Sequence, residues 1–363
     1  MTRASRGRCT RRSDAFRDGR AVARIDLGAI ERNCARLPKP LCAVVKANGY
    51  GHGSASAAEA ALAGGADWLA VATAGEAAEL RAAGIEAQLL VMGALTKVEL
   101  AVALNADADV VVWTEEIGAT APRVHVKLDT GMGRLGTKDR DLALRLAARP
   151  NAVGLMTHFA TADERGDELF DAQLSDFRRF VDDVGRDDLI VHAANSAAAL
   201  RDPGSHFDMV RCGVAVYGLD PFQQDPAAHG LEPALSLQSW VASIRRLEGG
   251  EGVGYGHTWR AEEPTWLATV PIGYGDGWRR GLTNNADVLI RGRRHPTVGS
   301  VSMDNVTVAL GDDTDIELGD EVVLIGRQGE ERILAEEVAR RLGTINYEVT
   351  TGLLARVRRE PFR

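Results

Sequence analysis

One lysine stands directly after an apolar run near the start of the chain. In "LCAVVKANGYGHG", residues 41–53, Lys46 follows two valines, and the chain then turns through three glycines. A lysine at the end of a buried strand usually extends its ammonium group to solvent. It can instead serve as a nucleophilic amine, because a partly dry setting lowers its pKa and frees the nitrogen lone pair. This segment alone favours the first interpretation, and the rest of the chain reverses that preference.

Polar or ionisable residues also follow other apolar runs. The candidates are Lys46, Lys127, Asp129, Arg134, His158, His192, Asn195, Ser196 and Arg211. In a barrel of alternating strands and helices, the chemistry lies where the carboxyl ends of the strands meet. Because five runs end in such groups, separate structural explanations would require independent coincidences. We therefore interpret the set as one site.

The residue types in this set fit pyridoxal phosphate. A barrel commonly holds phosphate between the loops after its last two strands, through backbone N–H groups and small hydroxyls. Ser196, Gly213 and Val214 fall in those loops, and a lysine across the barrel mouth could hold the cofactor as a Schiff base. Arg211, rather than a carboxylate, is the candidate to face the pyridine nitrogen. Since a nearby cation disfavours protonation of that nitrogen, the site suits brief removal and return of an α-proton.

The elements that must position these residues form a repeating pattern. Eight apolar runs between residues 40 and 218 alternate with turns and alanine-rich amphipathic segments. Such a pattern indicates a parallel sheet covered by helices, and eight units predict a (β/α)8 TIM-type barrel. The competing fold is a doubly wound open sheet, which more often carries a G-x-G-x-x-G turn after its first strand, and no such turn follows the first run here. "TEEIGATAP", between the fourth and fifth runs, is so short that we expect one helical turn or none.

The character of the chain changes after "DPFQQDPAAHGLEP". Strand-like runs and turns follow, and only "LAEEVARRLGT" near the end has a helical pattern. We therefore predict a pyridoxal-phosphate-binding barrel over residues 21–234 and a mostly β domain over residues 235–363. Residues 1–20 carry seven arginines and almost nothing apolar, which predicts a disordered basic arm.

Charge and cysteine content exclude several classes of protein. The net charge of -8 and a pI near 5.6 argue against a nucleic-acid partner. No apolar run approaches the length that a membrane crossing requires. The four cysteines form no C-x-x-C pair and show no disulfide spacing, which indicates a reducing compartment. We expect a cytoplasmic protein with a small-molecule substrate.

Specific motifs give the chain a resemblance to a known family. "AVVKANGYGHG", "KLDTGMGRLG", "THFATAD", "HAANSAAAL", "MVRCGVAVYGL", "VGYGHTW", "PIGYGDGW" and "GSVSMDN" occur in this order. On these motifs the chain resembles the alanine racemase family from residue 21 to residue 360. The resemblance implies interconversion of L-alanine and D-alanine on pyridoxal 5'-phosphate, with D-alanine supplied for peptidoglycan. It also implies a head-to-tail homodimer with shared active sites.

The resemblance implies a role for each matching residue. Lys46 would carry the cofactor and act as the base for D-alanine, and Tyr255 from the β domain of the other subunit would be the opposite base. Residues implied to contact the cofactor are Tyr50, His158, Asn195, Ser196, Arg211, Gly213, Val214 and Tyr347. Arg134 and the backbone of Met303 would bind the substrate carboxylate, and Tyr274 would line the access channel. Lys127 matches a lysine that is carbamylated in many family members.

Other activities stay open at this point. A racemase of the same fold could act on serine or on many amino acids, although broad-specificity relatives tend to be exported and disulfide-bonded. A fold-related decarboxylase of basic amino acids would place an acidic residue against the pyridine nitrogen and a cysteine in the β domain. This chain has Arg211 instead and no cysteine after Cys212. A cofactor-storing barrel would lack the β domain. Ser302 replaces the family's cysteine before Met303, which should leave the backbone contact intact.

Overall fold

The structure, a computed structural model, describes residues 19–363. The predicted basic arm therefore lies outside the described residues, apart from its last two. The described chain divides into two units. One unit comprises residues 25–235, 335–352 and 361–363, and the other comprises residues 236–334 and 353–360 together with the described residues before 25.

The elements follow one another as the alternating pattern predicts for the first part of the chain. The strands are β1 (Val22–Asp26), β2 (Leu41–Val44), β3 (Trp68–Val71), β4 (Gln88–Val91), β5 (Ala108–Val112), β6 (Val124–Lys127), β7 (Ala152–Met156), β8 (Ile190–His192), β9 (Val210–Cys212), β10 (Leu235–Trp240), β11 (Ser243–Leu247), β12 (Gly252–Val253), β13 (Trp259–Arg260), β14 (Thr265–Val270), β15 (Asp287–Ile290), β16 (Arg293–Val298), β17 (Val306–Gly311), β18 (Glu321–Gln328), β19 (Glu331–Ile333) and β20 (Arg358–Phe362). The α-helices are α1 (Leu27–Arg36), α2 (Lys46–Tyr50), α3 (Ser54–Ala63), α4 (Ala74–Ala82), α5 (Lys97–Asn105), α6 (Glu115–Thr120), α7 (Arg140–Ala147), α8 (Glu168–Val184), α9 (Ser196–Arg201), α10 (Ala335–Leu342) and α11 (Asn346–Thr351).

The first unit contains the predicted parallel barrel. Strands β2 to β9 pair in the order β8-β7-β6-β5-β4-β3-β2-β9, and each of the eight apolar runs contains one of them. Between the two ends of this order, the Arg211 N–H donates to the Ala194 carbonyl at 2.9 Å and the Asp208 N–H to the Val191 carbonyl at 2.9 Å. These bonds bring β8 and β9 together, so the (β/α)8 class is confirmed.

The helices around the barrel bury apolar faces against the sheet. The longest, α8, begins at Asp167, whose side chain accepts from the Leu169 N–H, and it buries Phe170, Phe177 and Phe180. An N-cap carboxylate of this kind satisfies a donor that the first turn leaves unpaired.

The short connection after β5 is more helical than we expected. It forms α6, a helix of six residues, so the expectation of one turn or none is wrong. The Asn151 amide donates to the carbonyls of Gly118 (2.8 Å) and Ala121 (2.7 Å). These bonds pair carbonyls that the end of a short helix leaves open.

The second unit is mostly β, as predicted. Its main sheet has the order β11-β14-β17-β16-β15-β18-β10-β1-β20, with β19 on β18, and β12 pairs separately with β13. One core cluster contains Leu247, Val253, Ala261, Leu267 and Val298. The sequence placed all of residues 235–363 here, whereas residues 335–352, which form α10 and α11, group with the barrel unit. Within the described part of the chain, no helix is both long enough and apolar enough to cross a membrane.

Candidate active site

A cavity of about 480 Å³ opens at the carboxyl ends of the barrel strands. Its volume lies within the range of small-molecule sites. The sequence-predicted residues that line it are Lys46, Tyr50, Lys127, Arg134, His158, Asn195, Ser196, Gly213, Val214 and Tyr347. The structure therefore brings together ten of the residues that the sequence singled out. The described residues of this lining include three cationic side chains and no carboxylate.

The backbone that carries Lys46 has an unusual conformation. Strand β2 ends at Val44, and Lys46 opens the short helix α2, in which residues 47–50 all have φ between 52° and 60°. These values describe a left-handed turn, which L-amino acids other than glycine rarely adopt. The turn is closed by hydrogen bonds such as Gly49 N–H to the Val45 carbonyl at 2.9 Å. It places Lys46 at one end and Tyr50 at the other, both on the cavity wall.

Two lysines in the cavity hold their protons less tightly than ordinary surface lysines, because burial disfavours the charged ammonium form. Burial, and then the nearby Arg134 cation, lowers the pKa of Lys46, while Glu76 opposes the change. Lys127 is 4% exposed, and its pKa falls to about 8 through burial and then through Arg211 and Arg134. Both amines are therefore more readily deprotonated than free lysine.

A folded loop after β6 holds Arg134 at the cavity. The Asp129 carboxylate accepts from the backbone N–H groups of Gly131 and Gly133, each at 3.1 Å. The Thr137 N–H donates to the Lys127 carbonyl at 3.1 Å, and the Asp129 N–H donates to the Thr137 carbonyl at 2.9 Å. Asp129 therefore organises the turn that carries Arg134 rather than lining the cavity itself.

Arg211 does not line the cavity, but it contacts a residue that does. Its Nη2 lies 3.4 Å from Nδ1 of His158 and donates to the carbonyls of Thr157 (2.9 Å) and Ala193 (3.2 Å). Burial lowers the pKa of Arg211 to about 10, so the guanidinium stays charged at neutral pH. Burial and then Arg211 lower the pKa of His158 well below its usual value. The cavity wall therefore carries a neutral imidazole with a cation beside it.

The end of the cavity near β8 and β9 offers hydroxyls and backbone N–H groups. The Ser196 Oγ accepts from the Gly213 N–H at 3.0 Å and from the Ala215 N–H at 3.3 Å. A Cβ on Gly213 would lie 2.2 Å from the Tyr50 Oη, so only glycine lets the tyrosine ring rest against this backbone. Burial raises the pKa of both Tyr50 and Tyr347. Both phenols are therefore uncharged donors and acceptors, as phosphate oxygens require.

A buried polar cluster, which the sequence did not suggest, fixes the helix that carries Tyr347. The Asn346 Nδ2 donates to the Asp220 carbonyl and to Oε1 of Glu336, both at 2.8 Å. The Asp220 N–H donates to the same Glu336 oxygen at 2.9 Å. Burial raises the pKa of Glu336. The cluster fixes the start of α11, and with it the backbone of Tyr347.

Three further predicted site residues belong to the other unit, and the cavity lining does not include them. Tyr255 is 75% exposed, and its carbonyl accepts from the Ser300 hydroxyl at 2.8 Å. Met303 is 51% exposed. The Gly275 N–H donates to its carbonyl at 2.8 Å, and the Tyr274 N–H donates to the adjacent Ser302 carbonyl at 3.0 Å. Tyr274 and Met303 thus lie on neighbouring backbone segments of this unit.

The chain matches models of both domains of one family. The model described as "Alanine racemase, N-terminal domain" matches residues 25–221, and the model described as "Alanine racemase, C-terminal domain" matches residues 234–361. The alanine racemase of Symbiobacterium thermophilum is 41% identical over 360 residues, which cover 93% of this chain and 96% of the relative. That of Geobacillus kaustophilus is 43% identical over 362 residues, which cover 93% and 94%.

Solved structures give the same match in three dimensions. The alanine racemase from E. faecalis has a TM-score of 0.88 and 38% identity, and the match covers 95% of this chain and 98% of that one. The alanine racemase from Streptomyces coelicolor A3(2) has a TM-score of 0.89 and 37% identity, covering 96% and 100%.

Proposed function

This chain belongs to the alanine racemase family, and from that premise we propose that it is an isomerase that interconverts L-alanine and D-alanine with pyridoxal 5'-phosphate. The observation that carries the proposal is the cavity that gathers Lys46 and nine further predicted residues. The D-alanine formed would supply peptidoglycan synthesis.

The donor groups of the cavity fit pyridoxal phosphate. An amine with a lowered pKa, Lys46, suits covalent attachment of an aldehyde. The hydroxyls of Ser196, Tyr50 and Tyr347 would hold the phosphate, beside the backbone of Gly213, whose N–H donates to the Ser196 Oγ in this structure. Because no carboxylate lines this cavity among the described residues, an anionic cofactor meets no repulsion from its walls. When bound, pyridoxal phosphate holds the substrate nitrogen and accepts the charge that develops at the α-carbon.

Racemisation requires a proton acceptor on each face of the α-carbon. The Lys46 Nζ would take and return the proton on the face used by D-alanine, and its lowered pKa favours the neutral amine that does so. The Oη of Tyr255 would serve the opposite face. Arg134 would hold the substrate carboxylate through its guanidinium, together with the backbone N–H of Met303.

Arg211 would determine how long the negative charge that develops at the substrate α-carbon persists. A cation facing the pyridine nitrogen disfavours its protonation, so the α-proton returns quickly and side reactions are rare. Arg211→Glu should let the nitrogen protonate, slow racemisation and raise the fraction of side products. An unchanged ratio of side products to racemisation in that variant would contradict this account of Arg211.

The first experiment is a proton NMR time course of L-alanine in heavy water with the purified, cofactor-loaded protein. Loss of the α-proton signal, with D-alanine detected by a chiral assay, is the expected result. Exchange of the serine α-proton but not that of alanine would identify serine as the substrate in place of alanine. Ethylamine would indicate a decarboxylase, and the absence of exchange with any amino acid would contradict the proposal.

We also propose that the active enzyme is a head-to-tail homodimer. Tyr255 and Met303 are strongly exposed in the single chain. A second copy would supply Tyr255, as a symmetric dimer allows. Lys46→Ala and Tyr255→Phe subunits, each inactive alone, should regain one working site when mixed. No recovery in mixed dimers whose formation is verified by native mass spectrometry would refute the shared site.

A further inference from the structure

Four buried polar side chains form a row from Arg211 into the interior of the barrel. The Arg211 Nη1 lies 2.9 Å from Nδ1 of His192, and Nε2 of His192 lies 2.8 Å from Nδ1 of His125. The Nε2 of His125 lies 3.2 Å from Oδ2 of Asp109. All four side chains are buried and come from β9, β8, β6 and β5. Branched aliphatic residues usually fill these positions, so the polar row needs an explanation.

The two ends of the row fix the position of every proton in it. Arginine only donates, so Nδ1 of His192 must carry a lone pair, and its Nε2 must carry the hydrogen. That hydrogen points at Nδ1 of His125, which must therefore accept, and the Nε2 of His125 then donates to Asp109. A carboxylate only accepts, so both ends require the same order. Burial and then Arg211 lower the pKa of His192 well below its usual value, consistent with a neutral imidazole.

The barrel has space for this row because one neighbouring residue lacks a side chain. Gly154 pairs with His125 across β6 and β7. A Cβ on Gly154 would lie 2.1 Å from Nδ1 of His125, which is the nitrogen that accepts from His192. The Trp68 ring and the same imidazole pack in a T-shaped arrangement, with the centroids 5.7 Å apart. Strand β7 thus leaves a space that the His125 ring fills.

The far end of the row is held by a second cation. Arg123 contacts Asp109 through Nε and reaches Asp107 through Nη2 at 2.8 Å. Asp109 is 2% exposed, whereas Asp107 is 78% exposed. Arg123 therefore holds Asp109 in place on the side away from the histidines.

We infer that Asp109, His125 and His192 are positioning residues for the Arg211 guanidinium. Their hydrogen bonds fix the hydrogen of each imidazole on Nε2, so that Nδ1 of His192 keeps a lone pair that accepts from Arg211. The row uses one of the two N–H groups on Nη1, so the guanidinium keeps a further donor for the ring nitrogen of the cofactor. If His192 carried its hydrogen on Nδ1, two N–H groups would face each other and Arg211 would have to move. This inference deepens the proposed function, because it rests on Arg211 facing that nitrogen.

The first test needs neither cofactor nor activity. In protein labelled with ¹⁵N-histidine, His192 and His125 should both show the neutral form with hydrogen on Nε2. A nitrogen–nitrogen coupling across the His192–His125 hydrogen bond should also be visible. Hydrogen on Nδ1 of either ring, or no coupling between the two rings, would overturn the inference whatever the enzyme does.

The second test asks whether the row acts on Arg211. Asp109→Leu removes the terminal acceptor, and Gly154→Ala displaces the His125 nitrogen without changing any charge. Each variant should weaken pyridoxal phosphate binding by about tenfold, the lower range for losing one hydrogen bond to a charged group. Each should also shift the ¹⁵N resonance of the bound pyridine nitrogen. The matched control is Asp107→Asn, because Asp107 contacts the same Arg123 at the surface. This variant should change neither the affinity for pyridoxal phosphate nor the ¹⁵N resonance of the pyridine nitrogen.

The outcomes separate this inference from the proposed function. If Asp109→Leu does not fold, Gly154→Ala and the histidine spectra of the unmodified protein still decide. Unchanged cofactor affinity and an unchanged ring-nitrogen signal in the folded variants would refute the positioning role and leave racemisation untouched. If the unmodified protein binds no pyridoxal phosphate, the proposed function fails, while the histidine spectra still decide the proton order.

Discussion

Lys127 should react with carbon dioxide at neutral pH, whereas an ordinary lysine should not. A carbamate forms only from the neutral amine, through the reaction R–NH₂ + CO₂ → R–NH–COO⁻ + H⁺. The pKa of Lys127 is lowered to about 8 by burial and then by Arg211 and Arg134. At pH 7, about one such side chain in ten is neutral, compared with roughly one in 2,500 for a lysine of pKa about 10.4. The reactive fraction therefore rises about 230-fold.

The charges around Lys127 also favour the product. Carbamylation replaces a cation by an anion at a place where Arg134, Arg211 and Lys46 are the nearby cations. The repulsion that lowers the pKa of the amine becomes attraction for the carbamate. The product carboxylate could then hold the Arg134 guanidinium in a fixed direction.

Carbon-13 NMR in labelled bicarbonate measures this reaction directly. The chain has only five lysines, so a carbamate resonance is readily assigned. We expect one strong resonance at pH 8 in cofactor-loaded protein, its loss in Lys127→Gln, and its retention in Lys138→Gln, the matched change at an exposed lysine. At a fixed CO₂ pressure, the resonance should weaken as the pH falls from 8 to 6. No Lys127 carbamate at pH 8 under saturating bicarbonate would refute the reasoning.

Three further changes test the packing of the barrel unit. Gly213→Ala should weaken pyridoxal phosphate binding, because the new Cβ would lie 2.2 Å from the Tyr50 Oη; fluorescence titration measures this, and unchanged affinity would contradict it. Phe177→Ala should lower the free energy of unfolding by about 3–5 kcal/mol, because Phe177 is fully buried; a urea-unfolding loss below about 1 kcal/mol would be inconsistent with that packing. Burial raises the pKa of Glu336, so the folded chain binds a proton that the unfolded chain releases. Stability should therefore fall as the pH rises from the ordinary carboxyl pKa through the raised one. Glu336→Gln should flatten that fall above the ordinary carboxyl pKa, and an equal slope in both proteins would argue against it.

The barrel was predictable because its strands are buried on both faces and so appear as continuous apolar runs. The run "ADVVVW", for example, contains β5, all five residues of which are buried. The second helix near the end of the chain, α11, was not predictable in this way. Its six residues, "NYEVTT", contain β-branched valine and threonine, which favour strands. Its helical form depends on the buried contacts of Asn346 with Asp220 and Glu336.

The residues of the site were predictable where they follow strands, and less so within them. His158 and Ser196 were found because the chemistry of a barrel lies at the carboxyl ends of its strands. Asp109 and His125 were missed because they lie inside β5 and β6, where side chains normally pack the core. The available signal was an acid in "ADVVVW" and a histidine in "VHVKLDT", although neither run shows which partner the side chain meets. Which side chains Asp109 and His125 contact depends on how the strands are arranged in the closed barrel.

The left-handed turn after Lys46 determines how freely that part of the chain can change. Each non-glycine residue in such a turn costs roughly 1–2 kcal/mol, so a glycine in place of Ala47 should relieve strain in the folded protein. The same glycine would give the unfolded chain more freedom, which offsets part of that gain. A glycine here should therefore change the stability of the protein little. It would hold the Lys46 amine less firmly in one direction, since glycine permits many backbone conformations. The left-handed turn therefore lowers local stability, but it restricts the backbone next to Lys46 and so keeps the direction of its amine fixed.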